Sequence, residues 1–293
     1  MTQPPPPRGV AIGIDIGGTN VRAARVDRSG RPDGRIRVRT DSAVNVADLV
    51  LDLCQRLLDD DVQAIGIAIP GRLDRSATTI VSSGYVDLAG QRLGEIISER
   101  LGRPAVLDND ARMALYAELE LGAATTANDV VMFTVGTGVG GAVAMDRQVH
   151  RGRGNAGQLG HLALDPNGPR CNCGRRGCSE VLASGTALSR LIRDAGLPAD
   201  TTAETLLDRQ ADDPLAARIL CEWAKAWRSA IDSAVAVLDP DLVVLGGGLG
   251  AAASSALEAC SPETSPWFEC PVAPARLGDD AGVIGAGLRA FAA

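Results

Sequence analysis

The sequence predicts an α/β protein of two similar lobes with a cleft between them. Three observations predict it. The block DIGGTNVRAARVD, residues 15–27, runs from a buried strand through a Gly/Thr turn into a strand ending in Asp. The block TVGTGVGGAVAMD, residues 134–146, repeats that theme. Apolar residues at helical spacing follow each block, so a hairpin-then-helix unit occurs twice.

The elements follow in order. VAIGIDI, residues 10–16, reads as a buried strand, and VRAARVD, 21–27, as its hairpin partner across a polar, glycine-lined turn. Alternation makes Arg35 to Arg39 a third strand. Val46, Leu49, Val50, Leu53 and Leu57 fall at helical spacing and predict a helix over 46–58. AIGIAIPG, 64–71, is a buried strand closed by Pro70-Gly71. Residues 88–101 suit a helix, and AVLDND, 105–110, leads as a short strand into a helix over 111–121. The second round starts near 129. Its cysteine-rich segment precedes helices, chiefly 217–238, then the strand DLVVLGGGLG, 241–250, and a last helix, GVIGAGLRAF. The expected organisation is a disordered tail over 1–9, an N-terminal lobe over 10–115 and a second lobe over 116–280 that carries the cysteine loop. The C-terminal helix, 281–293, is expected to return to the first lobe.

Composition narrows the function. The 293 residues are 45% apolar and 22% charged, with a formal net charge of -7. An acidic chain without a basic run lacks the footprint of a nucleic-acid binder. No apolar stretch reaches the ~18 residues of a membrane span. The proline-rich start, MTQPPPPR, lacks the apolar core of a signal peptide. A cytoplasmic protein that binds neither nucleic acid nor membrane is expected.

His161, Cys171, Cys173 and Cys178 offer one imidazole and three thiolates, a set that suits tetrahedral zinc. Disulfides or buried free thiols are the other reading. Three thiols within eight residues cannot all pair locally, and seven cysteines with no secretory segment suit a reducing compartment, where clustered Cys more often means metal. Four protein ligands leave no open position, so such a zinc would be structural. Cys54, Cys221, Cys260 and Cys270 have no spacing that demands chemistry and read as small buried or surface residues.

Three glycine turns follow apolar strands, at 17–19, 136–141 and 246–248. Glycine lets backbone N–H groups approach an anion, and Thr19 and Thr137 add hydroxyls, so the three together could grip a polyphosphate. Each alone also has an ordinary steric explanation. The dinucleotide fingerprint and the G-K-[ST] phosphate loop are both absent. Asp15, at a strand end beside the first turn, is placed either to hold magnesium or to cap its own turn.

DIGGTN, the Asn109-Asp110 pair, TVGTGVGG, AGQLGH, CNCGRRGCSE and LGGG occur in that order over roughly residues 10–290. Together they resemble the ROK family, named for repressors, open reading frames and kinases. The resemblance implies an actin-like ATPase fold of two ribonuclease-H-like lobes with ATP and sugar in a central cleft. Its kinases phosphorylate the 6-hydroxyl of a hexose or amino-hexose. It further implies that Gly17, Gly18 and Thr19 face the phosphates with Gly136, Thr137 and Gly138, and that Gly246, Gly247 and Gly248 lie by the adenosine. Pro70-Gly71, Asn109, Asp110, His161 and Glu180 would meet the sugar. Asp110 is the expected general base, positioned in line to accept the hydroxyl proton, although Asp is also a favoured helix cap. ATP, Mg2+ and Zn2+ are the expected cofactors, with polyphosphate as another donor, and a homodimer is the expected assembly.

The chain departs from the pattern at Gln158, where the family's kinases usually carry Glu. An amide keeps one acceptor, gains a donor and loses the charge, which puts the sugar in question. A differently substituted sugar, such as kanosamine, the 3-amino analogue of glucose, could prefer it. A catalytically impaired sugar-binding or regulatory member is the alternative function. A repressor is disfavoured, since DIGGTN begins at residue 15 and leaves no room for a preceding DNA-binding module.

Overall fold

The computed structural model describes residues 9–40, 45–84 and 86–292; the expected tail over 1–9 lies outside them except for Gly9. The chain forms two compact units. One comprises the chain up to Gly122, the short segment Arg151–Ala156 and the stretch from Asp279 onward; the other comprises Ala123–His150 and Gly157–Gly278.

In the first unit, β1 (Val10–Ile16), β2 (Asn20–Asp27) and β3 (Pro32–Arg39) form an antiparallel meander. Helix α1 (Val46–Leu57) follows, capped by Asn45, whose side chain accepts from the Ala47 and Asp48 N–H groups. Next come β4 (Val62–Ile69), a small hairpin of β5 (Arg72–Leu73) and β6 (Ile80–Ser82), α2 (Leu93–Leu101), β7 (Ala105–Asn109) and α3 (Asp110–Leu121). The sheet order is β3-β2-β1-β4-β7, with β1, β4 and β7 parallel. Strand β1 is buried on both faces, which is why its sequence is a near-continuous apolar run.

The second unit repeats the plan. β8 (Val130–Val135), β9 (Val139–Met145) and β10 (Gln148–Val149) are antiparallel. Helices α4 (Ser179–Ala183), α5 (Gly185–Asp194), α6 (Ala203–Arg209) and α7 (Pro214–Leu238) come next. β11 (Leu242–Gly246), α8 (Gly250–Cys260) and β12 (Val272–Pro274) complete it. The order β10-β9-β8-β11-β12 matches the first sheet strand for strand, and β8, β11 and β12 are parallel. The two blocks read as a duplication occupy equivalent hairpins, β1–β2 and β8–β9. The core of this unit centres on Trp223, Trp227 and Phe133. Their rings meet edge to face, and the Trp223 indole N–H donates to the Ala183 carbonyl at 2.7 Å.

The last helix, α9 (Ala281–Ala290), packs on the sheet of the first unit and on α3. The approach is close enough to require glycine. A Cβ at Gly66 would strike the Ala286 carbonyl, and one at Gly13 the Val283 carbonyl. Both obstacles are backbone and cannot swing aside. Gly66→Ala is therefore expected to destabilise the protein by on the order of 3 kcal/mol, read as a lowered denaturant midpoint.

Three expectations change. α2 begins at Leu93 rather than near 88, because Gly90 adopts φ +80° and the segment before the helix pairs with Ile80 through two backbone hydrogen bonds. The strand expected over 241–250 stops at Gly246, and α8 begins at Gly250. Cys221 and Cys260, read as small buried or surface residues, form a disulfide that ties α7 to α8 with a Cα separation of 5.2 Å. Among the described residues no helix is long and apolar enough to cross a membrane.

Candidate active site and metal centre

Strand β1 ends at a carboxylate. Asp15 lies opposite Arg22 in the β1–β2 register, and Arg22 Nη1 reaches its Oδ2 at 3.3 Å while Nη2 holds Asp279 at 2.8 Å. Burial raises the Asp15 pKa; Arg22 opposes the shift and Asp279 adds to it. Gly17 closes the adjoining turn by donating to the Asn20 carbonyl at 2.9 Å, and Gly18 and Thr19 are exposed.

The β7–α3 corner carries the second carboxylate. Asn109, rather than Asp110, is the cap of α3. Its Oδ1 accepts from the Ala111 and Arg112 N–H groups, and its Nδ2 donates to the Gly71 carbonyl at 3.0 Å and to Asp110 Oδ1 at 2.8 Å. That carboxamide is fully engaged, so it positions Pro70-Gly71 and Asp110. Asp110 Oδ1 also accepts the Ala111 N–H at 2.8 Å. Burial and the nearby Asp15 charge push its carboxyl up to about 7, against the pull of those hydrogen bonds. Two carboxylates that resist ionisation side by side make a favourable seat for a divalent cation.

In the second unit, two glycine turns meet because β8 and β11 are parallel neighbours. Gly136 donates to Gly138 O at 3.0 Å. The start of α5 braces the turn through Gly185 N to Gly136 O, 2.8 Å, and Thr186 Oγ1 to Thr137 O, 2.7 Å. Gly247 has φ +76°, and a Cβ there would strike the Val135 backbone. A Cβ at Gly136 or Gly248 would meet nothing within 4 Å, so protein packing gives no reason for glycine at either. Bare backbone at the carboxyl ends of parallel strands, beside the start of α8, suits a phosphate-bearing ligand.

The cysteine loop closes on itself. Ligand atoms of His161, Cys171, Cys173 and Cys178 all lie within 4.8 Å of one another. Cys171 Sγ is 3.7 Å from His161 Nδ1, and the Cys173 and Cys178 sulfurs are 3.6 Å apart. Ligands about 2.3 Å from one tetrahedral centre would stand about 3.8 Å apart, so the set fits zinc. Burial pushes the Cys178 thiol up to about 12, whereas the Arg175 N–H draws Cys173 down to about 7. Three thiols this close do not ionise together without a cation. Glu180, in the first turn of α4, stands beside the loop. Its Oε2 accepts the Val139 N–H at 3.3 Å, and its Oε1 is 3.9 Å from Cys171 Sγ. Gln158 is partly buried, immediately before the short 3-10 turn Leu159–His161.

The structure thus groups Asp15, Gly17, Gly18, Thr19, Pro70, Gly71, Asn109 and Asp110 in the first unit. Gly136, Thr137, Gly138, Gly246, Gly247 and Gly248 fall in the second, as do Gln158, His161, Glu180 and the three cysteines. Arg22 was missed, although a hairpin reading of β1–β2 sets it across from Asp15. Asp108 and Arg112 were missed too, and no local pattern marks them.

This arrangement defines a protein of the actin-like ATPase fold. A solved ROK family glucokinase from Streptomyces griseus, in complex with glucose and AMPPNP, matches with a TM-score of 0.83 at 28% identity, covering 97% of this chain and 100% of that one. The ROK family profile matches residues 11–291, and the chain belongs to that family. A glucokinase of Thermotoga maritima is 29% identical, with 96% of each chain covered. An N-acetylmannosamine kinase of Haemophilus influenzae is 32% identical over 94% of this chain and 93% of that protein. A ROK family transcriptional regulator shares the fold, with a TM-score of 0.82 at 24% identity, over 96% of this chain and 77% of that one.

Proposed function

We propose that this protein transfers the γ-phosphoryl group of ATP to the 6-hydroxyl of a hexose or amino-hexose. The observation that carries the reading is Asp110. Its carboxyl is fixed at a helix start by Asn109 and the Ala111 N–H, and it is poised near neutrality by burial and Asp15. A base so tuned accepts the hydroxyl proton as the new P–O bond forms. Kinase relatives matched over nearly the whole chain support the same chemistry.

The backbone N–H groups of the 17–19 and 136–138 turns would orient the phosphates, and 246–248 would border the adenosine. Mg2+ held through Asp15 would neutralise phosphate charge. Zinc on His161, Cys171, Cys173 and Cys178 would fix the loop that aims Glu180 and the remaining His161 nitrogen at the sugar. The protein is expected to work in the cytoplasm as a homodimer. ADP release measured over a panel of hexoses and amino-hexoses, with ATP and polyphosphate as donors, tests the reading; no ADP release with any sugar would refute it.

Gln158 favours a second reading, a sugar-binding member with impaired turnover. Sugar binding by calorimetry without turnover would select it. If Gln158 sets sugar choice, Gln158→Glu is expected to improve kcat/KM for glucose about tenfold, as a charged acceptor replaces a neutral one, and to lower relative activity on an amino sugar. Unchanged ratios across the panel would remove Gln158 from specificity.

A further inference from the structure

Asp108 and Arg112 are 3% and 2% exposed, unusual for charged residues, and both flank Asp110. Asp108 Oδ1 accepts from Arg112 Nη1 at 2.9 Å and from the Asn109 N–H at 2.8 Å. Its Oδ2 accepts from Arg151 Nε at 2.8 Å and lies 2.7 Å from Arg151 Nη2. Arg112 Nη2 in turn donates to the carbonyls of Gly154, 2.6 Å, and Ala156, 3.2 Å. One buried carboxylate and one buried guanidinium therefore anchor both ends of the segment Arg151–Ala156. That segment is a six-residue excursion into the first unit from a chain that on both sides belongs to the second. Gly154, buried with φ +108°, sits against the Leu73 carbonyl, two residues after Gly71.

We propose that Arg112 is a positioning residue for the sugar acceptor, holding the loop Arg151–Ala156 against the corner that carries Asp110. The assignment rests on the sugar-kinase reading above. The loop, the Pro70-Gly71 turn and the Asn109–Asp110 corner form one wall of the first unit. Asn109 bonds it at one point and Arg112 at the other. Asn155, between the two anchored carbonyls, is exposed, as are Gly152 and Arg153.

Stability alone does not account for the network. Buried ion pairs are often replaceable by apolar residues at no loss. Arg112 Nε also has no partner among the described residues, a burial cost of about 1–3 kcal/mol. What the network does provide is a single loop position. Only a planar fork can span a carboxylate and two carbonyls at once; an ammonium would reach one or the other.

The test compares wild type, Arg112→Lys and Arg151→Gln, varying sugar and ATP in turn and following thermal unfolding in parallel. The expected result is a sugar KM at least tenfold higher in Arg112→Lys, with the ATP KM within twofold of wild type. Arg151→Gln should shift the sugar KM in the same direction by less. A residue needed only for folding would lower the active fraction and leave both KM values alone, and that outcome overturns the assignment. Equal rises in both KM values overturn it as well. Should Arg112→Lys not fold, Arg151→Gln decides by the same comparison, because a partly exposed arginine can be lost without stripping Asp108 of its other partner. A wild type that phosphorylates no sugar refutes the kinase reading and this assignment with it. An active wild type with unmoved sugar KM in the variants refutes only the assignment.

Discussion

Asp110→Asn is expected to cut turnover by about 10²–10⁴-fold and at the same time to raise thermal stability at pH 8. The first effect follows from losing the proposed base. Asparagine keeps an oxygen for the Asn109 and Ala111 donors, so the corner holds its shape while nothing accepts the hydroxyl proton. The second follows from the raised carboxyl, at about 7 in the folded chain against ~3.9 when unfolded. The folded state then holds a proton that the unfolded state has released. Stability is full below the unfolded value and declines as pH rises through the folded one. The amide has no such proton to lose. Wild type and variant should melt together near pH 4, and the variant should gain on the order of 1–3 kcal/mol by pH 8, or a few degrees. Wild-type kcat/KM should show an acid limb with its midpoint near pH 7. A variant with near-normal turnover, or with no pH-dependent gain in melting temperature, would remove Asp110 as the base.

The metal loop gives the second large effect. Purified protein is expected to contain about one zinc per chain, lost on chelation and absent in Cys178→Ser. Cys178 is fully buried and anchors a bridge to Ala163, beside the bond from Ser179 Oγ to the Leu159 carbonyl. Under the proposed zinc ligation, loss of the metal would free the loop between His161 and Cys178 that leads into Glu180. Sugar phosphorylation should fall at least tenfold, with the loss mainly in sugar KM, whereas Cys270→Ser should keep both zinc and activity. Acid should release the metal, since protons compete for the thiolates. A zinc-free protein with full activity would exclude the structural metal.

Local chemistry was legible in the sequence, and distant pairing was not. The strands of both hairpins follow from apolar runs cut by glycine, and the His161–Cys178 set sits within one short segment whose spacing reveals it. Helix α8 escaped because its buried face is glycine, alanine and serine, which carry no hydrophobic period. The Cys221–Cys260 bond spans 39 residues, and nothing near either cysteine announces the other. Arg112 reads as one more charged helix residue until its carbonyl partners, some forty residues on, are known. The glycines at 13 and 66 fall inside runs read as buried strands, where nothing local explains them; the approach of α9 does.

Helix α9 also sets an order of events during synthesis. The sheet that carries Asp15 is made early, yet the helix that covers it is translated only after the whole second unit has been made. Until α9 has been made, nothing in the chain can fill the furrow over Gly13 and Gly66. A substitution that weakens α9 is therefore expected to unsettle the unit made first, because that is the one it covers.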